Sequence, residues 1–233
     1  YRRIGRMLDE FGQGRVPILG CTATANLRVV DDVAEQLGAE LTTFRGALGR
    51  SGLGLGVIDL PAQPERLVWL AERLESIPGS GIIYCLTIRD TRAVSDFLQS
   101  RGFDVAAYSG ATESDEREGL ERRLQANDLK ALVATSALGM GYDKPDLGFC
   151  IHVGSPSTPV AYYQQVGRAG RAVEHAEAVL LSSQSDESIW EYFATASIPN
   201  PDDVAKTLAA LQDQPHSVIE LDGLTGVRRG RLE

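Results

Sequence analysis

Cysteine, histidine, methionine and aromatic residues are scarce in this chain: three Cys, three His, two Met and 6% Phe, Trp and Tyr in 233 residues. Cys21, Cys85 and Cys150 are scattered, each in or beside an apolar run, and no Cys-x-x-Cys occurs. That is the pattern of buried thiols in reducing surroundings, and it argues against a structural zinc cluster. His152, His175 and His216 carry no ligand spacing, so no metal site is expected. No apolar run approaches the roughly 20 residues that a membrane helix needs, and no cationic, apolar leader opens the chain. A cytoplasmic setting, bacterial cytoplasm or nucleoid, is therefore expected, without a membrane partner. Basic residues are in the minority, 23 against 32 acidic, for a net charge of -9. This balance argues against non-specific polyanion binding by the whole surface, but not against a local groove, because phosphate contacts need only a few placed donors. There is no internal repeat and no low-complexity tract.

What is present suits a folded core. Hydrophobic residues make up 43% of the chain, and the length allows one large or two small domains. Tyr1 to Phe11 reads as a short amphipathic helix, Val16 to Cys21 as a buried strand, and Asn26 as the cap of a helix running to Leu37. Thr42 to Gly56, with Arg45 and Arg50 among glycines, reads as a connector. Val57 to Leu60 is a short strand, and a helix spans Glu65 to Ile77. Strands are expected at Gly81 to Cys85, Phe103 to Tyr108, Lys130 to Ala134, Phe149 to Val153 and Ala176 to Leu181. They alternate with helices at Thr91 to Ser100, Ser114 to Ala126 and Pro159 to Val166, the last with proline well placed in its first turn. Such alternation implies an α/β fold with a mostly parallel sheet covered on both faces. Two further helices, Ser185 to Ala196 and Asp202 to Leu211, precede an end that stops in Arg228-Arg229-Gly230-Arg231.

The most informative stretch is Gln164-Gln165-Val166-Gly167-Arg168-Ala169-Gly170-Arg171. Its two arginines sit three residues apart, each directly after a glycine. A guanidinium is permanently charged and presents a rigid fork of donors suited to phosphate oxygens, and the glycines permit tight turns and close approach. The plain reading is a helix end with a surface basic pair. The sharper one is an arginine-finger element that completes a nucleotide site built mostly elsewhere.

Four runs taken together resemble RecQ-like superfamily 2 helicases. Leu19-Gly20-Cys21-Thr22-Ala23-Thr24-Ala25 resembles motif III, and Gly81-Ile82-Ile83-Tyr84-Cys85 followed by Arg89-Asp90-Thr91 resembles motif IV. Ala134-Thr135-Ser136-Ala137-Leu138-Gly139-Met140-Gly141-Tyr142-Asp143-Lys144-Pro145 is similar to motif V, and residues 164–171 to motif VI. They follow the family's order over roughly residues 16–183. The resemblance implies a RecA-like three-layer parallel sheet domain, the second of two motor lobes, with a short helical C-terminal extension. Residues 1–60 would be a remnant of the first lobe plus a connector, 61–183 the second lobe, and 184–233 the start of a truncated accessory or winged-helix domain. Neither Gly-x-x-x-x-Gly-Lys-Ser/Thr nor Asp-Glu-x-His occurs before residue 19, so the chain is expected to be a fragment that cannot hold ATP alone. Two features depart from the family: no zinc-module cysteines follow Cys150, so no zinc is expected, and Tyr108-Ser109-Gly110 stands where relatives often carry His.

The resemblance also assigns roles. It implies a 3'-to-5' ATP-dependent DNA helicase whose partners are single-stranded DNA, duplex junctions and the first lobe of the same polypeptide, with ATP and Mg2+ held mainly by that lobe. Arg168 and Arg171 would reach across the cleft to the β and γ phosphates, from a rim that the first lobe faces. Gln164, Gly141 and Asp143 complete the cofactor set, Asp143 by holding the ribose or anchoring the arginines. Their plainer readings are a solvent-facing helical Gln and a turn-forming Asp beside Pro145; Lys144 reads as a solvated surface charge. Thr135 and Ser136 end a strand, where ligands commonly sit in parallel sheets, and would grip a DNA phosphate unless they only cap locally. Arg89 is a further phosphate contact, or an ion-pair partner of Asp90 or Asp96. Thr22 and Thr24 would couple DNA contact to ATP contact, or merely cap a strand end. Two rival functions remain at this point: another superfamily 2 motor acting on RNA or translocating without unwinding, and a non-enzymatic adaptor that kept the lobe's fold.

Overall fold

A computed structural model of the chain describes residues 19–22, 27–37, 42–46, 49, 51–138, 142–196, 200–212 and 214–229. The helix expected at 1–11, residues 16–18 of the strand expected at 16–21, and Thr24, Asn26 and Gly141 lie outside the described residues; residues 19–21 are exposed and form no strand, so Cys21 is not the buried thiol expected. The chain divides into two compact units, at residues 183 and 184.

The first unit is built on one six-stranded, fully parallel sheet in the order β1-β6-β5-β2-β4-β3. Its strands are β1 (Leu53–Asp59), β2 (Gly81–Cys85), β3 (Val105–Tyr108), β4 (Ala131–Ala134), β5 (Phe149–Val153) and β6 (Ala176–Ser182). Its helices are α1 (Leu27–Leu37), α2 (Gln63–Ser76), α3 (Ile88–Ser100), α4 (Ser114–Gln125) and α5 (Pro159–Val166). The side-chain alternation of a strand divides the interior in two. Ile83, Cys85, Val133, Phe149, Ile151 and Leu181 pack with Leu70 and Leu74 of α2 and Val94 and Leu98 of α3. Ile82, Tyr84, Leu132, Cys150 and Ala178 pack with Leu120 and Leu124 of α4 and Val166 of α5. Helices on both faces of a parallel sheet give the three layers expected of a RecA-like lobe.

Local chemistry sets the helix starts. Thr87 caps α3, its Oγ1 accepting from the Asp90 amide at 3.0 Å; Thr158 caps α5, accepting from the Ala161 amide at 3.1 Å, with Pro159 in the first turn. α3 therefore begins at Ile88, three residues before its expected start at Thr91. β3 begins at Val105 rather than Phe103. Residues 53–56, expected in the connector, are strand: β1 starts at Leu53 and pairs with β6 from Leu53↔Ala176 onward. The reason is tertiary. Leu-Gly-Leu-Gly has poor intrinsic strand propensity, but the open edge of β6 supplies the ladder.

The second unit holds α6 (Ser185–Ala196), α7 (Pro201–Ala210) and α8 (Val218–Thr225). The first two match the expected helices to within a residue at each end. α8 was not expected, yet it has a sequence signature: a capping box of Ser217 with Glu220 and a left-handed Gly226 at its end.

Gly81 shows how tightly the central strands are set. It faces Phe149 across the β2–β5 ladder, and a Cβ there would enter the Phe149 ring. Gly81→Ala is expected to destabilise the chain by about 1–3 kcal/mol through overpacking. In a Phe149→Ala background, itself costly, the added penalty of Gly81→Ala should nearly vanish. Urea unfolding of the two single variants and the double variant checks this.

Candidate functional site

The site is assembled by the segment between β4 and β5. β4 ends at Ala134, and the next residues form a turn in which the Leu138 amide donates to the Thr135 carbonyl at 3.2 Å. Thr135 is half-buried; its amide donates to the Tyr108 carbonyl at 3.1 Å, and its Oγ1 accepts from the Ala137 amide at 3.3 Å. Ser136 is exposed. Arg89 follows the end of β2 with its side chain 90% exposed, 3.6 Å from Asp90. These three residues share the sheet's carboxyl-terminal edge, where side chains just past parallel strands are available to ligands. Arg89 meets Asp90 and leaves most of its guanidinium in solvent, and Thr135 caps its own turn.

The later part of the segment is pinned from below. Lys144 is not the solvated charge expected from sequence: its side chain is 0% exposed, its Nζ 2.7 Å from Asp146 Oδ1 and 3.5 Å from the Gln125 carbonyl. Asp146 also accepts from Asn127 Nδ2 at 3.0 Å, and Asn127 accepts from Ser80 Oγ at 2.6 Å. The two side-chain hydrogen bonds, from Asn127 and from Lys144, hold the Asp146 carboxyl below the usual carboxylate range. Asn127 sits just past α4 with φ of 63°, a conformation Asn tolerates better than most residues. A buried ammonium must keep its partners, so Lys144 fixes the backbone on either side of it.

That fixed backbone meets both arginines. Arg168 donates from Nη1 to the Tyr142 carbonyl at 2.6 Å, and Arg171 Nη1 lies 2.5 Å from Asp143 Oδ1. Arg171 also donates from Nε to the Gly167 carbonyl at 3.3 Å. The backbone repeats the connection: the Gly170 amide donates to the Leu147 carbonyl and the Ala172 amide to the Pro145 carbonyl. Gly170, with φ of 72°, needs the freedom that glycine has. These contacts place Arg171 toward the edge where β5 and β6 begin, opposite the edge that carries Thr135 and Ser136. Arg171 is 40% exposed and Asp143 59% exposed, so their pair contributes little to stability. Arg171, Gly170, Val173 and Glu174 line an open, polar cleft of about 590 Å³ together with Gly49, Ser51 and Gly52. Arg168 is half-buried, and its Nε is a buried donor with no partner among the described residues. A guanidinium left under-satisfied beside an open edge has the chemistry to accept an anionic group.

Gln164 is exposed on α5, and its neighbour Gln165 turns inward instead. Gln165 Oε1 lies 2.8 Å from His152 Nε2, and His152 stacks on Tyr84 with ring centroids 5.2 Å apart and meets Tyr162 at 5.1 Å. Sequence reasoning found no use for His152. Its parity within β5, on the Cys150 side rather than the Ile151 side, was the signal that it faces α5. Thr22 is exposed. Among the described residues no three His, Cys, Asp or Glu side chains are grouped as metal ligands, and no helix is long and apolar enough to cross a membrane.

Burial pushes His152 down to about 4, with the Gln165 hydrogen bond opposing weakly. The folded protein therefore holds it neutral, and the unfolded chain binds the extra proton between pH 6.5 and 4. Stability conferred by the neutral ring is complete above the unfolded value and is lost as pH falls through that window, by roughly 3 kcal/mol. Thermal unfolding from pH 7.5 to 4.5 should show a shallower decline for His152→Phe than for the unaltered chain. Equal slopes would show that this ring does not titrate differently in the two states.

Known proteins share sequence and fold with this chain. Residues 64–173 match the helicase conserved C-terminal domain family. The chain is 38% identical over 175 residues to a putative ATP-dependent DNA helicase Q1 of Caenorhabditis elegans, covering 73% of this chain and 28% of that protein. It is 33% identical over 193 residues to the RecQ-like DNA helicase BLM of Xenopus laevis, covering 80% of this chain and 14% of that protein. The chain thus spans less than a third of the length of either relative. In fold it resembles Saccharomyces cerevisiae Dbp5 bound to RNA and ADP BeF3, with a TM-score of 0.61 at 20% identity, covering 75% of this chain and 47% of that one. The parallel sheet with its paired arginines is a superfamily 2 helicase-like RecA domain, and RecQ-like DNA helicases are among its relatives.

Proposed function

We propose that this chain is the second motor lobe of an ATP-driven, RecQ-like DNA helicase that moves 3' to 5' along one strand. The observation that carries the reading is the pairing of Tyr142 and Asp143 with Arg168 and Arg171. One segment, leaving the edge proposed to grip nucleic acid, ends by orienting both guanidinium groups. On this reading residues 61–183 form the lobe, 1–60 a first-lobe remnant and connector, and 184–233 the start of an accessory domain.

ATP with Mg2+, bound mainly by a first lobe of the same polypeptide, supplies the phosphoanhydride to be cleaved. Arg168 and Arg171 neutralise charge on its β and γ phosphates, and differential stabilisation of the transferring group is how arginine fingers accelerate phosphoryl transfer. Asp143 keeps Arg171 extended until a stronger anion competes for it. Gln164 and Gly141 complete the nucleotide contacts. Thr135, Ser136 and Arg89 hold the DNA backbone through charge and hydroxyl donors, without reading sequence. Thr22 and Thr24 link that grip to the nucleotide. The overall charge of -9 confines the grip to this edge, so salt should weaken it steeply. A lobe acting on intracellular DNA is in keeping with the cytoplasmic or nucleoid setting expected from the sequence.

ATP hydrolysis by the full-length protein, with and without single-stranded DNA, tests the reading. Arg171→Ala and Arg168→Ala are each expected to lower stimulated turnover by about 10³-fold or more while the melting temperature stays close to that of the unaltered protein. Turnover near normal in both variants overturns the assignment. Unwinding of 3'-tailed DNA duplexes but not RNA duplexes is the expected substrate preference; the opposite preference would make the motor an RNA helicase.

A further inference from the structure

α5 is a helix of about two turns, and Val166 is its only buried side chain. Apolar contact is non-directional, so this one anchor leaves the rotation of so short a helix about its axis weakly fixed. Rotation matters here, because Arg168 follows α5 directly. The Gly167 amide turns back to the Tyr163 carbonyl at 2.9 Å, and the Arg168 amide to the Gln165 carbonyl at 3.2 Å. The turn that carries Arg168 therefore follows Gln165.

Gln165 is held by His152. An amide oxygen only accepts, so the 2.8 Å contact of His152 Nε2 with Gln165 Oε1 is an N–H donated by the ring. Tyr162, nearly one turn earlier on the same face of α5, meets that ring at 5.1 Å, and Tyr84 stacks on it from within the sheet at 5.2 Å. One buried imidazole thus engages α5 at two points, while Tyr84 sets the plane of the ring. Histidine is not the residue that packing alone would favour. His152 Nδ1 is buried with no partner among the described residues, and an orphaned buried nitrogen costs stability. A phenyl ring would stack on Tyr84 without that cost. What histidine adds is direction, because a hydrogen bond weakens steeply away from its line.

We infer that His152 and Gln165 are a pair of positioning residues, whose hydrogen bond fixes the rotation of α5 and thereby presents Arg168 to the nucleotide phosphates. The inference rests on the motor reading above and adds to it two residues assigned no contact with nucleotide or DNA. Each link is a direct hydrogen bond: His152 to the Gln165 side chain, the Arg168 amide to the Gln165 carbonyl, and the Arg168 guanidinium to the Tyr142 carbonyl.

ATP hydrolysis by the full-length protein is measured against increasing oligo(dT), at a temperature where thermal unfolding shows the variants folded. His152→Phe keeps the stacked ring and loses the donor. Gln165→Leu keeps the helix and loses the acceptor, and Gln165→Glu keeps an acceptor oxygen. The first two are each expected to lower the maximal stimulated rate about tenfold, the most that one neutral hydrogen bond supplies. The oligonucleotide concentration giving half-stimulation should stay within about twofold, because the strand contacts are intact. Gln165→Glu should turn over within about threefold of the unaltered protein, since its hydrogen bond survives. Both losses break the same bond, so the double variant should be within about twofold of the slower single variant. A merely structural role for either residue would move the melting temperature without this coupling. Losses that multiply to about a hundredfold in the double variant overturn the inference, as do single variants that turn over at the full rate. Either result leaves the motor reading standing; that reading falls instead if Arg168→Ala and Arg171→Ala turn over normally. Should His152→Phe not fold, the contrast of Gln165→Leu with Gln165→Glu decides, and equal rates for those two overturn the inference.

Discussion

A buried ammonium organises the candidate site. Lys144 has no contact with solvent, and the cost of placing its charge there is offset only while Asp146 and the Gln125 carbonyl stay within reach. Those partners come from the segment itself and from the end of α4, and Asn127 and Ser80 extend the chain of hydrogen bonds to the start of β2. The backbone around Lys144 cannot drift without leaving a charge unpaired in the interior. Tyr142 and Asp143, two residues and one residue before it, are therefore presented at fixed positions, and the two arginines after α5 find them there. The exposed salt bridge of Asp143 with Arg171 is weak by itself; its geometry follows from the neighbouring buried Lys144, held by the half-exposed Asp146.

The sheet supplies the other half of the arrangement. All strands are parallel, so every carboxyl-terminal strand end shares one edge and every return helix runs back to the other. Thr135 and Ser136 fall at the first edge because they follow β4. Arg168 and Arg171 fall toward the second because they follow α5, which has crossed back. On the proposed reading the lobe responds to two ligands at once, and this topology would give each its own edge. Of the segment from β4 to β5, residues 135–138 lie at the first edge, and residues 145–147 bond to the backbone that follows Arg168.

The motifs along the chain identified this arrangement only partly. Residues 164–171 suggested a phosphate-seeking element because a guanidinium fork suits phosphate oxygens, with a surface basic pair as the plainer reading, and the order of the four runs pointed to the lobe. Most strands and helices in the first unit lay where periodicity put them, since a strand buried on both faces reads as an unbroken apolar run. β1 was partly hidden because its glycines carry no pattern, and its pairing depends on an edge contributed by β6, more than a hundred residues later.

Sequence by itself determined which residue types are available and in what order: two guanidinium groups at fixed spacing, hydroxyls after a strand, an apolar core in alternating pieces. Those follow from local composition and period, which the chain carries wherever it folds. Only the tertiary structure decided which of two adjacent glutamines turns inward, that Lys144 is buried rather than solvated, and that Tyr84 stacks on His152 and donates to Leu138. Each of these depends on what lies across the sheet or at the far end of a helix, and such neighbours are set by packing between segments distant in the chain, not by any residue's own preference.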